Sequence, residues 1–279
     1  MAEVHTPSKR SRRLWARVAA ALATLVVAAV AGVALAYPSV AATTCPGCYG
    51  LTELEPGVYT EKGLSGEQRE RIHRTVTAAR DRIEGFYGTP VSSPRLLVCV
   101  TDACYARIGG KKERGIAILN RSVMLSPRGL DTVIASHEMS HVELHARLAS
   151  GAEVPQWFDE GLAVVVSDDP RYLRPKTTVD RCTTPPDGPL PVTLEQWLAA
   201  AGKDATTYAK SACQVHRWLR SNGDRQGLLS LIERLNAGKS FASEVSPASV
   251  PSAGSSMPGK STPPPSAGSP MPGKSAPPA

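Results

Sequence analysis

The sequence predicts an α+β fold: a small strand region, then a long helix carrying clustered histidines, then a helical subdomain. An apolar segment precedes this region and a disordered tail follows it. Three observations carry the prediction. Short apolar runs at 95–101 and 115–125 are bounded by Gly and Pro, the pattern and length of strands. Helical periodicity appears from Asp131 to Ala149 and again at 193–201, 204–221 and 224–235, so strands lead and helices follow. Both ends of the chain depart from globular composition.

At the N-terminus, residues 1–17 hold Lys9, Arg10, Arg12, Arg13 and Arg17 against Glu3. Val18 to Ala36 then runs without a charge and ends at Tyr37-Pro38. Its nineteen residues suit a transmembrane anchor of about 20 residues, whereas Ala34-Leu35-Ala36 and Ser39-Val40-Ala41 suit a cleaved signal peptide. Either way the basic flank stays in the cytoplasm and everything after residue 40 is exported, membrane-anchored or secreted. The formal charge of +7 is mostly terminal, with +4 in residues 1–17 and two lysines after residue 250, leaving +1 between them. That excludes a broad basic face, and with aromatics at 5% no nucleic-acid partner is expected. The oligomeric state is left open.

All six cysteines lie beyond the apolar segment, as disulfides of an exported domain require. Six cysteines allow 15 connectivities. The expected one joins sequence neighbours: Cys45 with Cys48, Cys99 with Cys104, and Cys182 with Cys213. A redox role for Cys45-Pro-Gly-Cys48 lacks a surrounding βαβ pattern, and a zinc knuckle is the remaining alternative. Residues 45–245 form the expected folded domain.

Within it, Ile72, Val76, Ala79, Ile83 and Phe86 repeat with helical period from Ser65 to Tyr87, and Gly88-Thr89-Pro90 ends the helix. Leu96-Leu97-Val98-Cys99-Val100 reads as a buried strand, and residues 115–125 read as two strands about Asn120-Arg121. The next helix starts with Asp131 as N-cap and runs to Ala149, with Gly151 past its end. A Pro155-led helix carries Trp157 to Val166, and a proline-rich loop extends to Pro191. Trp197, Leu198, Trp218, Leu219, Leu228, Leu229 and Leu231 are the core candidates of the last helices. Residues 246–279 are expected to be disordered, because from Pro251 a Pro/Ser/Gly-rich repeat cannot bury a core.

The chemistry concentrates in His137-Glu138-Met139-Ser140-His141. One histidine on an apolar helix face is ordinarily a packed core residue. Two at four-residue spacing can reach one cation, and Glu138, about 100° further round, faces the mouth of that site as a general base would. A hydrolytic zinc site needs three protein ligands and an open position. The third ligand is among His145, Asp159 and Glu160. His145 lies about 12 Å along the helix axis from His137, too far to share a tetrahedral ion with it.

His137-Glu138-x-x-His141, eighteen intervening residues, and Glu160 within Trp157-Phe158-Asp159-Glu160-Gly161-Leu162-Ala163 resemble the gluzincin metallopeptidases, more narrowly the peptidase-MA-like exported bacterial proteins. The resemblance covers about residues 115–235. It implies a zincin-type active-site helix, zinc held by His137, His141 and Glu160, and hydrolysis of peptide or protein substrates with Glu138 acting on a metal-activated water. Asp159 would point away from the ion and His145 would lie outside its ligand shell. The family's oxyanion donor, a tyrosine or histidine from a later segment, falls to Tyr208, with Tyr172 and His216 behind it. The metzincin pattern fails at Leu144 and Arg147. A catalytically silent binding or scaffold protein of the cell envelope is the competing expectation, although it gives Glu138 no task.

Overall fold

Residues 9–245 are described by the computed structural model; the expected disorder of 246–279 falls on residues outside that range. Helix α1 (Lys9–Ala36) contains the apolar stretch Arg17–Ala36, with mean hydropathy 2.5 and nothing buried within the protein. By length and composition it can cross a membrane, and a signal sequence passes the same test. A short α2 (Pro38–Thr44) and a 3-10 turn (Pro46–Tyr49) connect it to the domain.

Five strands form one sheet: β1 (Leu51–Glu55), β2 (Val58–Glu61), β3 (Arg95–Val98), β4 (Gly115–Ile118) and β5 (Ser122–Leu125), in the order β1-β2-β3-β5-β4. The outer pairs are antiparallel hairpins and the inner pairs are parallel. Leu96, Leu97 and Val98 are fully buried because β3 is covered on both faces, which explains their uninterrupted apolar run. The β1–β2 hairpin turns at Pro56-Gly57, with Gly57 at φ 77. It has no counterpart among the sequence expectations, because β1 is an edge strand whose glutamates dilute the apolar alternation.

Helix α3 (Gly66–Tyr87) begins with a reciprocal cap, Ser65 accepting from the Gln68 backbone and Gln68 from the Ser65 backbone. It packs on one sheet face with α5 (Thr132–Arg147), through Ile72, Val76, Val98, Leu125, Ala135 and Met139. On the other face Leu97 and Met124 meet Ala42, Tyr105 and Ile108. Tyr105 belongs to α4 (Asp102–Arg107), a short helix that begins from Thr101.

The helical part comprises α6 (Gln156–Ser167), α7 (Leu194–Ala201), α8 (Thr207–Asn222), α9 (Arg225–Asn236) and α10 (Phe241–Glu244). Phe158 and Leu162 of α6 join Trp218 of α8 and Leu228 and Leu231 of α9 in the larger core. Each such burial contributes about 1.5–3 kcal/mol. Gly161 lets α6 and α8 meet at backbone distance, since a Cβ there would lie 2.5 Å from the Ser211 carbonyl oxygen. Two boundaries and one core position differ from expectation: α5 stops at Arg147, α8 starts at Thr207 rather than 204, and Leu198 is 64% exposed while Trp197 takes the core position. Leu229 is half-buried.

The disulfides pair as expected, Cys45–Cys48, Cys99–Cys104 and Cys182–Cys213, with no cysteine left free to act as a thiolate ligand. Closing a separation of 31 residues with the last bridge removes about 3–4 kcal/mol of unfolded-chain entropy in the loop-closure picture. Three disulfides and an apolar N-terminal helix fit an oxidising compartment.

Candidate metal centre

Helix α5 is started by Asp131, whose carboxylate accepts from the Ile134 N–H at 2.9 Å. From there His137 and His141 fall one turn apart, on a helix buried along most of its length. Glu160 arrives from α6, which crosses α5 and is pressed onto α8 at Gly161. All three side chains are about nine-tenths buried. His137 Nε2 lies 3.3 Å from His141 Nε2 and 3.4 Å from Glu160 Oε2, and the third edge, His141 Nε2 to Glu160 Oε2, is 3.8 Å. Ligands about 2.0–2.1 Å from a tetrahedral ion stand about 3.3–3.4 Å apart, so two edges match and the third is slightly open. These residues are placed to hold a metal ion.

The surrounding groups fix that triangle. Asp159 turns away from the ligand atoms, as expected, and Oδ1 meets Nδ1 of His141 at 2.6 Å. Its other oxygen meets His145 Nε2 at 2.7 Å, which places His145 outside the ligand set. A carboxylate behind a ligating imidazole sets its tautomer and orientation. Gln156 donates from Nε2 to Glu160 Oε1 at 3.2 Å, leaving Oε2 towards the histidines. Burial opposes the His141 cation, but the carboxylates of Asp159, Glu160 and Glu138 outweigh it and push the pKa up to about 10. Burial likewise works against the Asp159 and Glu160 anions, yet the neighbouring histidines hold both below the ordinary carboxylate range. Without an ion, a proton on His141 supplies the positive charge that the site lacks.

Asp159→Asn is expected to weaken binding of a divalent metal ion about 10- to 100-fold, by losing the charged support behind His141. Competition against a chromophoric chelator measures this, and an unchanged affinity would remove Asp159 from the site.

Glu138 lies on the open side. Burial raises its pKa, against the pull of His137, His141 and the nearby Ala117 backbone of edge strand β4. The approach is close: a Cβ on Gly115 would come within 2.8 Å of Glu138 Cγ, so only glycine lets β4 pass here. A cleft of about 220 Å³ opens beside His137 and Glu138, walled by Tyr172 and Tyr208. The Tyr208 ring is 6.4 Å from His137, stacked on Tyr172 at 5.1 Å and edge-on to Trp197 at 4.8 Å. Burial, then Glu160, keeps the Tyr208 hydroxyl neutral far above its ordinary range. His216 is the exception among the sequence-selected residues: two turns further along α8 it lines a different pocket.

Arg114 and Arg171 also line the cleft, and sequence reasoning singled out neither. Arg171 grips the fully buried Asp169 through two nitrogens. An acidic residue two positions before an arginine in the 168–171 turn is the only signal, and it is too common to select. Comparison with protein-family models, curated proteins and solved structures finds no match for this chain.

Proposed function

We propose that the protein is an exported zinc-dependent metallopeptidase, with zinc held by His137, His141 and Glu160 and Glu138 as general base. The reading rests on one observation: a buried triangle of ligand atoms with edges of 3.3–3.8 Å beside a buried glutamate, open to a cleft under an edge strand. A purely structural ion site needs neither Glu138 nor the opening. Zinc, when bound, supplies a Lewis acid that activates water and polarises a scissile carbonyl.

The chain's own residues then have distinct tasks. Glu138, on the open side of the ligand triangle, takes the proton from water and returns it to the leaving amine. The neutral Tyr208 hydroxyl, with Tyr172 beside it, supplies a donor for the oxygen on which negative charge develops. Strand β4, free on its outer edge, receives an extended peptide or protein segment by strand addition. Helix α1 anchors the domain to the membrane or serves as its signal, and the three disulfides support a domain working outside the cytoplasm.

The test is a diverse peptide pool incubated with the purified protein before and after 1,10-phenanthroline. Cleavage that stops on chelation and returns with zinc is expected. A pool left intact by the zinc-loaded protein would overturn the reading.

A further inference from the structure

A second pocket, of about 660 Å³, lies between the end of α3, the last turn of α6, the 174–181 segment, α8 and the start of α9. Five cationic side chains line it, Arg82, Lys176, Arg181, Arg220 and Arg225, against the single lining carboxylate Asp224. Arg82 is spent on the Ser167 carbonyl, and Arg181 on Asp168 and the Arg174 carbonyl. Lys176 stands 3.5 Å from Asp168 with its side chain 70% exposed. Among the described residues Arg220 and Arg225 enter no ion pair, although Arg225 reaches Gly88 at the C-terminal end of α3. Even with Asp168 included, cations outnumber carboxylates five to two.

Two further features point to a missing anion. His216, in the wall, is only 8% exposed and its Nε2 has no hydrogen-bond partner. Burial together with Arg181 and Arg220 disfavours its cation, as an anion in the pocket would not. The first turn of α9, a helix of twelve residues, also opens here. Its N-cap Asp224 sits at a strained φ of 53° and makes no side-chain cap, and although the Gln226 N–H is taken by the Gly223 carbonyl, the positive end of the helix is only partly met within the fold. Phe86, Val165, Val166 and Leu219 give the pocket an apolar floor.

We propose that this pocket binds an organic phosphate, with the anionic head between Arg220, Arg225 and the α9 N-terminus and the carbon body on the apolar floor. Guanidinium forks suit phosphate oxygens, and the surplus positive charge suits a dianion. His216 lies eight residues beyond Tyr208 on α8, about 12 Å along the axis, so the site is separate from the metal centre and independent of its chemistry.

Calorimetric titration of the full-length protein in detergent at pH 8 tests this, with phenyl phosphate, inorganic phosphate and monomeric dihexanoyl phosphatidic acid as probes. Phenyl phosphate is expected to bind at least threefold more tightly than inorganic phosphate. Arg220→Ala with Arg225→Ala should weaken it at least tenfold, both positions being exposed, while Arg74→Ala on the outer face of α3 leaves it unchanged. Tighter binding of the phosphatidic acid than of phenyl phosphate identifies a lipid headgroup as the source, and weaker binding identifies a free ester. No saturable binding by the parent, or equal binding by the double variant, overturns the proposal.

Discussion

Glu138→Gln is expected to keep its zinc and lose peptide hydrolysis, with kcat falling about 10²- to 10⁴-fold. At 1.36 kcal/mol per decade this is about 3–5 kcal/mol of transition-state stabilisation. The substitution preserves shape, so the close passage of β4 at Gly115 is undisturbed. What it removes is the ability to take a proton inside a buried site. The ligand atoms are untouched, so metal content should match that of the parent. Side-by-side metal analysis and rate measurement decide the matter, and a variant that cleaves as fast as the parent would exclude Glu138 as the base.

The second large effect concerns the ion itself. A parent protein with zinc at about a thousand times its Kd gains about 4 kcal/mol of stability, because the unfolded chain cannot assemble the triangle. His137→Ala leaves two ligands and should lose nearly all of that gain, seen as a zinc-dependent rise in Tm that disappears. Acidity acts on the same equilibrium with a definite sign. The metal-free His141 carries a proton because its pKa is raised to about 10, and an ion needs the neutral ring. Binding therefore releases that proton. Zinc affinity should rise with pH across the neutral range, by about tenfold per unit for one proton, and level off above about 10. An affinity that does not change between pH 6 and 8 would contradict the coupling of His141 to Asp159.

The clustering of His137, His141 and Glu160 was legible in the sequence because two of its corners are fixed by helix geometry alone, one turn apart on α5. Glu160 was legible only through its aromatic and glycine setting. The role of Asp159 depends on the angle at which α6 crosses α5, which no local pattern encodes, so the resemblance turned it away from the ion without placing it behind His141. Tyr208 could be named as a candidate but not located, since only the stacking of Tyr172 and Trp197 against it turns it to the cleft. His216 had the right residue type on the right helix, two turns too far along. For the fold, apolar runs buried on both faces were easy to read, as in β3. The β1–β2 hairpin and the choice of Trp197 over Leu198 were not, because each depends on which face a short element turns to its neighbours.

The contact at Gly161 carries a consequence for when the site comes into being. Glu160 is held in place by backbone touching backbone between α6 and α8, and the residue touched, Ser211, lies two positions before Cys213. The bridge from Cys213 to Cys182 thus pins α8 next to the point on which the third ligand depends. A chain still in its reduced form lacks that pin, and the α6–α8 contact beside Glu160 then rests on the packing of Phe158 and Leu162 against Val215 and Trp218 alone.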